Sequence, residues 1–144
     1  MARAHSERKT ARRLQYGALP YRVLDGRPEI LLITSRETGR WVVPKGWPMK
    51  RRSPTQTAAQ EALEEAGVRG EISRDPIGSY SYVKRLRPDH ALGCAVVVFP
   101  LRVCEMKPHW REQHQRVRAW FELGQAALHV DEPELQDLIR AFAP

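Results

Sequence analysis

Apolar and polar residues alternate along this chain in a way that predicts several strands before its last helix. Six segments are either alternating or continuously apolar and are bounded by turn residues, as strands are. They are residues 16–24, 29–34, 40–43, 77–84, 92–103 and 117–121. Asp25-Gly26 separates the first two and is a strong hairpin-turn signal. The longest segment, 92–103, is rich in β-branched residues and is expected to be a central strand.

The sequence from Ser53 to Gly67 predicts a helix in the middle of the chain. Ser53 suits the N-cap, Pro54 suits the first helical position, and Gln56 completes a capping box. Gly67 is the expected left-handed residue that ends the helix.

A second helix is predicted near the C-terminus. Asp131 is its expected N-cap and Glu134, three residues later, completes a second capping box. Its apolar residues recur at helical spacing, which indicates one packed face; they are Leu135, Leu138, Ile139 and Phe142. Strands with one helix in the middle and one at the end predict an α+β domain with a mixed sheet between helices.

The length and composition predict a single soluble domain. The chain has 144 residues, which suffices for one hydrophobic core. We expect a disordered basic tail over residues 1–13 and a single domain over 14–144. No apolar run approaches the roughly 20 residues of a membrane helix, and the expected location is the cytoplasm. The two cysteines, Cys94 and Cys104, are expected to be buried free thiols.

Basic residues are concentrated just before the middle helix. The net charge is +7, which makes an anionic ligand plausible. The cations of this segment are Arg36, Arg40, Lys45, Lys50, Arg51 and Arg52. Gly46 lies among them, where the backbone can approach a ligand closely. Trp41 and Trp47 flank the same loop and are candidates for stacking on a nucleobase.

Three carboxylates of the middle helix share one face when residues are placed about 100° apart. They are Glu61, Glu64 and Glu65. The opposite, apolar face is expected to pack on the core and consists of Ala59, Ala62, Leu63 and Ala66. Oxygen ligands on one rigid helix suit Mg²⁺ or Mn²⁺, and the preceding cations suit phosphate oxygens. Together they favour a hydrolase of phosphoanhydride bonds over a merely solvated acidic face.

The stretch from Gly46 to Val68 resembles the Nudix box. Gly46, Glu61, Glu64, Glu65 and Gly67 fall at the spacings of that motif. Two positions depart from it, because Arg52 stands where the box has its first glutamate and Gln60 where it has arginine. In the family that arginine orients neighbouring carboxylates, a role that a neutral Gln fills only through weaker hydrogen bonds. Segments 15–18 and 41–46 resemble the branch of diphosphoinositol polyphosphate and diadenosine polyphosphate hydrolases.

The resemblance implies an α/β/α Nudix sandwich that hydrolyses a nucleoside or inositol diphosphate linkage (X–P–P–Y) with Mg²⁺ or Mn²⁺. Glu61 and Glu65 would be the main metal ligands, and Glu64 would bind a further metal or hold the water. The carbonyl of Gly46 would add a metal contact. The general base stays open between Glu61, Glu64 and a loop residue. Some family members supply an extra carboxylate ligand after the central strand, where Glu112 is favoured over Glu105. For either residue, a solvated surface role is the preferred interpretation.

The expected partner is a small phosphorylated molecule, bound through Arg36, Arg40, Lys45, Lys50 and Arg52. A membrane partner is not expected and nucleic acid is not favoured, while the oligomeric state stays open. The alternatives are a pyrophosphohydrolase of RNA 5′ ends and a catalytically weak Nudix domain that senses nucleotides or binds RNA. The sensor or RNA-binding alternative is motivated by Gln60, Arg52 and the basic tail.

Overall fold

The computed structural model describes residues 13–144, and eight strands among them form one mixed sheet. The strands are β1 (Arg13–Leu24), β2 (Arg27–Thr34), β3 (Trp41–Val42), β4 (Lys45–Gly46), β5 (Val68–Ile72), β6 (Gly78–Arg87), β7 (His90–Met106) and β8 (Arg118–Glu122). The main order is β3-β2-β1-β7-β5, with β4 paired to β1, β6 to β7 and β8 to β2. β1 and β7 run parallel, whereas β1 and β2 form an antiparallel hairpin.

Within residues 13–144, three α-helices and one π-helical segment cover the sheet. They are α1 (Pro54–Glu61), the π segment (Ala62–Ala66), α2 (Leu123–His129) and α3 (Pro133–Ala141). The helices that residues 13–144 form are all too short or too polar to cross a membrane.

Both faces of the sheet are buried, which explains why β2 is continuously apolar. Ile30 and Leu32 point into a cluster that includes the buried residues of α2 and α3. Leu31 and Ile33 point to the other face, where they pack with residues of α1 and the π segment. The predicted α+β fold, with a mixed sheet between helices, is confirmed.

The predicted strands all form, and three elements were not predicted. β4 and β5 are short and partly exposed, so their apolar pattern is weak. α2 lies in a segment whose helical spacing was not recognised. Asp25 and Gly26 have φ of 53° and 78°, as a tight hairpin turn requires. Residues 1–12 of the predicted tail lie outside the described residues, and Arg13 is the first residue of β1.

The middle helix begins as predicted, but its buried face is rotated. Ser53 and Gln56 form the capping box, and Gly67 ends the π segment with φ of 68°. Ala58 is fully buried and takes the place in the core expected for Ala59. Ala59 and Leu63 are half-buried at the surface, so the predicted apolar face is only partly covered.

Two further expectations are wrong. Glu132 rather than Asp131 is the N-cap of α3, and it makes no side-chain capping bond. Glu134 Oε1 instead accepts a hydrogen bond from the backbone N–H of Ser81 on β6, at 2.7 Å. Cys94 is buried as expected, but Cys104 is exposed because it points outward near the end of β7.

Candidate active site

Gly46 and Glu61 bring the loop and the helix into direct contact. Gly46 in β4 pairs with Tyr16 of β1, which fixes the loop against the sheet. A Cβ atom added at Gly46 would collide with the carboxylate of Glu61. Glycine is therefore required here because the helix carboxylate lies directly against the loop backbone.

Glu61 and Glu65 form a closely interacting carboxyl pair at the end of α1. Burial, a side-chain hydrogen bond with Glu65 and the charges of nearby glutamates together raise the pKa of Glu61 to about 8. Burial also raises the pKa of Glu65, although the charges of Arg116 and Lys45 oppose this. The backbone N–H of Lys45 donates to Glu65 Oε1 at 3.3 Å.

This pair fits a divalent cation. Two carboxylates that repel each other in a partly buried site share a proton, and a hard cation would relieve the same repulsion. Mg²⁺ typically binds through one or two carboxylates together with water and substrate phosphates. Among residues 13–144, however, no three acidic, His or Cys side chains are already grouped for a metal ion. The fit therefore rests on Glu61 and Glu65 beside the Gly46 backbone.

Glu64 forms its polar contacts with groups outside the Glu61–Glu65 pair. Its Oε2 accepts from Gln60 Nε2 at 2.7 Å, and its Oε1 lies 3.4 Å from Arg111 Nη1. Arg52 Nη1 donates to Gln60 Oε1 at 3.1 Å. The two positions that depart from the box are thus neighbours in space, and they form a chain from Arg52 through Gln60 to Glu64.

The loop after β7 is fixed by the carbonyl groups that end the π segment. Glu112 N donates to Glu64 O at 3.1 Å, and Trp110 Nε1 donates to Glu65 O at 3.1 Å. Arg118 Nη1 donates to Ala66 O at 2.9 Å. Since the last carbonyls of a helix lack partners within it, these bonds satisfy them and anchor the loop beside the carboxylates.

Arg116 is a functional candidate that sequence reasoning missed. Its buried side chain donates to Glu112 Oε1 at 2.7 Å and lies 3.7 Å from Glu65 Oε2. It also donates to Thr34 O at 3.1 Å, which fixes the guanidinium to β2. The spacing of four residues between Glu112 and Arg116 was the available signal. Glu105 instead pairs with Lys107 at the surface.

Two adjoining cavities of about 240 and 210 Å³ extend from the carboxyl pair, and we call them together the groove. The first contains Glu61, Glu65, Glu112 and Gly46. The residues common to both are Arg36, Lys45, Tyr82, Lys84 and Arg116. Acidic ligands at one end and cations along the walls suit an anion bound beside a metal ion.

The predicted basic residues divide into two sets. Arg36 and Lys45 line both cavities of the groove, and Arg40 lines the second. Burial lowers the pKa of Lys45 to about 8, although Glu65 opposes the shift. Arg40 also holds Glu132 at 2.6 Å, so part of its charge is already engaged.

Three of the basic residues do not reach the groove. Lys50 is exposed and lines neither cavity, whereas Arg51 and Arg52 line a separate cavity beside α1. In their place β6 supplies Lys84 to the groove. Sequence reasoning missed Lys84 because its segment was interpreted only as a strand around two tyrosines.

The two tryptophans that flank the loop differ in access. Trp47 is 37% exposed and lines the groove with Glu61. Trp41 packs edge-on against Phe121, with ring centroids 5.1 Å apart. Only Trp47 of these two is therefore available to stack on a ligand in the groove.

Comparison with known proteins gives one consistent family. The family model described as the NUDIX domain matches residues 13–142. Nudix hydrolase 17, mitochondrial, of Arabidopsis thaliana is 33% identical over 122 residues, covering 80% of this chain and 65% of that protein. Diphosphoinositol polyphosphate phosphohydrolase 3-alpha of Homo sapiens is 33% identical over 101 residues, covering 68% of this chain and 57% of that protein.

Solved structures share the fold. A C. elegans Ap4A hydrolase in a binary complex superposes with a TM-score of 0.65 and 24% identity, over 88% of this chain and 92% of that chain. The NUDIX domain of Shewanella oneidensis NrtR complexed with ADP ribose superposes with a TM-score of 0.65 and 16% identity, over 91% of this chain and 88% of that one. The chain spans only 65% of the length of the Arabidopsis relative above. It belongs to the Nudix hydrolase family.

Proposed function

We propose that this protein is a metal-dependent hydrolase that cleaves a phosphoanhydride bond in an X–P–P–Y substrate. The observation that carries the proposal is the groove, in which the Glu61–Glu65 pair faces the backbone of Gly46 while Lys45, Arg36 and other cations line the walls. A solvated acidic face would need neither the buried carboxyl pair nor the opposing cations.

The chain's own residues would bind and orient the substrate. Lys45, Arg36 and Lys84 would hold phosphate oxygens through charge-assisted hydrogen bonds. Mg²⁺ or Mn²⁺ held by Glu61 and Glu65 would offset negative charge on the phosphoryl group under attack. Water would attack phosphorus and break its bond to the bridging oxygen, while a carboxylate takes the proton from the water.

Glu112 is our proposed additional carboxylate in the groove. Its backbone is fixed to Glu64 and its side chain to Arg116, so it is held in place before substrate binds. We expect Glu112→Gln to lower kcat about tenfold or more, as loss of a residue that supports a metal site does. Glu105→Gln is the matched control, since Glu105 lies near the end of β7 but outside the groove. Equal losses in both variants would contradict the assignment.

The proposed substrate class is a dinucleoside polyphosphate or an inositol pyrophosphate. Two relatives in these classes, named above as the human phosphohydrolase and the C. elegans Ap4A hydrolase, support it. Arg36, Lys45 and Lys84 line both cavities of the groove, and this number of cations suits a substrate with several phosphates. Cytoplasmic location stays a prediction, and the plant relative above carries the name mitochondrial.

Chromatographic measurement of the hydrolysis products formed by purified protein with Mg²⁺ or Mn²⁺ tests the function. The panel contains diadenosine tetraphosphate, an inositol pyrophosphate, ADP-ribose and an RNA with a 5′ triphosphate. We expect turnover of the first two to exceed that of the others. Fastest turnover of the RNA would favour the RNA-end alternative. Binding of a nucleotide without turnover of any substrate would favour the sensor and contradict the proposal.

A further inference from the structure

A further cavity of about 540 Å³ lies beside α1, separate from the two cavities of the groove. Its basic residues are Arg51 and Arg52, from the turn before α1, and Arg69 from β5. We call it the arginine cavity. Its lining residues are all different from those of the groove, so the catalytic proposal leaves it without a role.

The charge of the arginine cavity is not balanced within the described part of the chain. None of Arg51, Arg52 and Arg69 forms an ion pair with a carboxylate of residues 13–144. The guanidinium of Arg52 donates only to the neutral amide of Gln60 among these residues. Three guanidinium groups around one concave surface provide paired donors that match phosphate oxygens.

The floor of the arginine cavity is apolar. Ala59 and Leu63 of the helix are half-buried there, next to the fully buried Leu101 of β7. This is the part of the helix that the sequence pattern predicted to be in the core and that the sheet leaves uncovered. An uncovered apolar strip bordered by cations suits a ligand with one flat apolar part and one anionic part.

The backbone is irregular at both basic edges of the cavity. Arg51 has φ of 63°, a left-handed conformation that is costly for a residue with a long side chain. A register shift in β5 falls between Arg69 and Gly70, and bulges of this kind change the direction of a side chain. Unusual backbone at two independent edges of one cavity is typical of binding sites.

We propose that the arginine cavity binds a nucleoside phosphate. The phosphates would contact Arg51, Arg52 and Arg69, while the base would lie on the apolar strip beside Ala59 and Leu63. This site is separate from the groove, and its occupancy requires neither metal nor turnover.

Isothermal titration calorimetry of the full chain with ADP, in the presence of EDTA, tests the proposal. The cavity variant is Arg51→Asn with Arg69→Ala, because Asn tolerates the left-handed backbone at position 51. The matched control, Arg36→Ala with Lys84→Ala, also removes two cations, but from the groove. We expect the cavity variant to bind ADP at least tenfold more weakly and the control to change less than threefold.

A second pair of titrations separates the base from the phosphates. Leu63→Gln removes part of the apolar strip and is expected to weaken ADP binding while leaving inorganic tripolyphosphate binding unchanged. Amide shifts of the parent chain on adding ADP provide a readout independent of any variant's folding. They are expected at Leu63 and Gly70 rather than at Gly46 and Trp47.

Three results would overturn the proposal. One is no measurable binding of ADP to the parent chain at low salt. Another is loss of ADP binding in the groove control alone, with shifts confined to Gly46 and Trp47. The third is equal affinity for ADP and tripolyphosphate, unaffected by Leu63→Gln, which would leave an anion site without a place for the nucleoside.

Discussion

The two sides of the middle helix carry charge in different surroundings. On the groove side, Glu61 and Glu65 are partly or wholly withdrawn from water and interact with Lys45 and Arg116. On the other side, Arg52 and Gln60 form an exposed hydrogen bond. Because interactions between charges strengthen as water is excluded, equal changes of charge should have large effects on the groove side and small ones on the other.

The largest effect is expected at Glu65. Glu65→Gln keeps the shape of the side chain but removes one of the two carboxylates proposed to hold the metal. We expect kcat to fall about 100-fold or more at saturating Mg²⁺, because loss even of a group that supports a ligand lowers activity by about 10–100-fold. Steady-state kinetics and a melting curve measure this, and full activity in a folded variant would show that Glu65 holds no metal.

The next largest effect is expected from removing cations, which should matter in the groove and not outside it. Arg36→Ala with Lys84→Ala should raise KM for a highly phosphorylated substrate about tenfold or more, since a hydrogen bond to a charged group contributes about 1.5–3 kcal/mol. Lys50→Ala is the control, because Lys50 is exposed and outside the groove. We expect KM for ADP-ribose to change less, and the difference to shrink at high salt. A larger change from Lys50→Ala would reverse this assignment.

The pH dependence of stability should report the buried carboxyl pair. A carboxyl whose pKa is raised on folding, as that of Glu61 is to about 8, stabilises the fold at low pH. That contribution is lost as pH rises from the unfolded value of 4.5 to about 8. Lys45, with a pKa lowered to about 8, stays protonated through most of this range. In EDTA we therefore expect Tm to fall by a few degrees between pH 5 and 8.

Glu61→Gln is the check on that assignment, because it removes the repelling pair. Its Tm should depend less on pH than that of the parent chain, and Mg²⁺ should raise the Tm of the parent more than that of the variant at pH 8. An identical decline in both proteins would place the titrating group elsewhere.

The smallest effect is expected from the chain of Arg52, Gln60 and Glu64. Gln60→Arg alone places two guanidinium groups side by side, and exposed like charges cost about 0.2–0.5 kcal/mol. We expect about a twofold fall in turnover. Adding Arg52→Glu creates an ion pair and should return turnover to the parent value or above. If Gln60→Arg alone loses most of the turnover, the hydrogen bond from Gln60 holds Glu64 more tightly than an exposed hydrogen bond would.

Much of the fold followed from local pattern. The alternation of β1, the continuous apolar run of β2 and the capping box at Ser53 each depend on neighbouring residues, so sequence predicted them. β4 was not predicted, because two residues carry no periodic signal. The cap of α3 was predicted wrongly, because Glu134 found a partner on β6, 53 residues away in sequence.

The sequence by itself determined that Glu61 and Glu65 follow Gly46 at the spacing of a metal-binding helix and that cations precede them. Only the tertiary structure decided which cations share the site, because Lys84 and Arg116 reach the groove from other elements while Lys50 and Arg52 point elsewhere. It also decided which groups the side chain of Glu64 contacts and that Leu63 is partly exposed. Spacing fixes positions along one helix, whereas the packing of that helix on the sheet selects which face meets water and which groups converge.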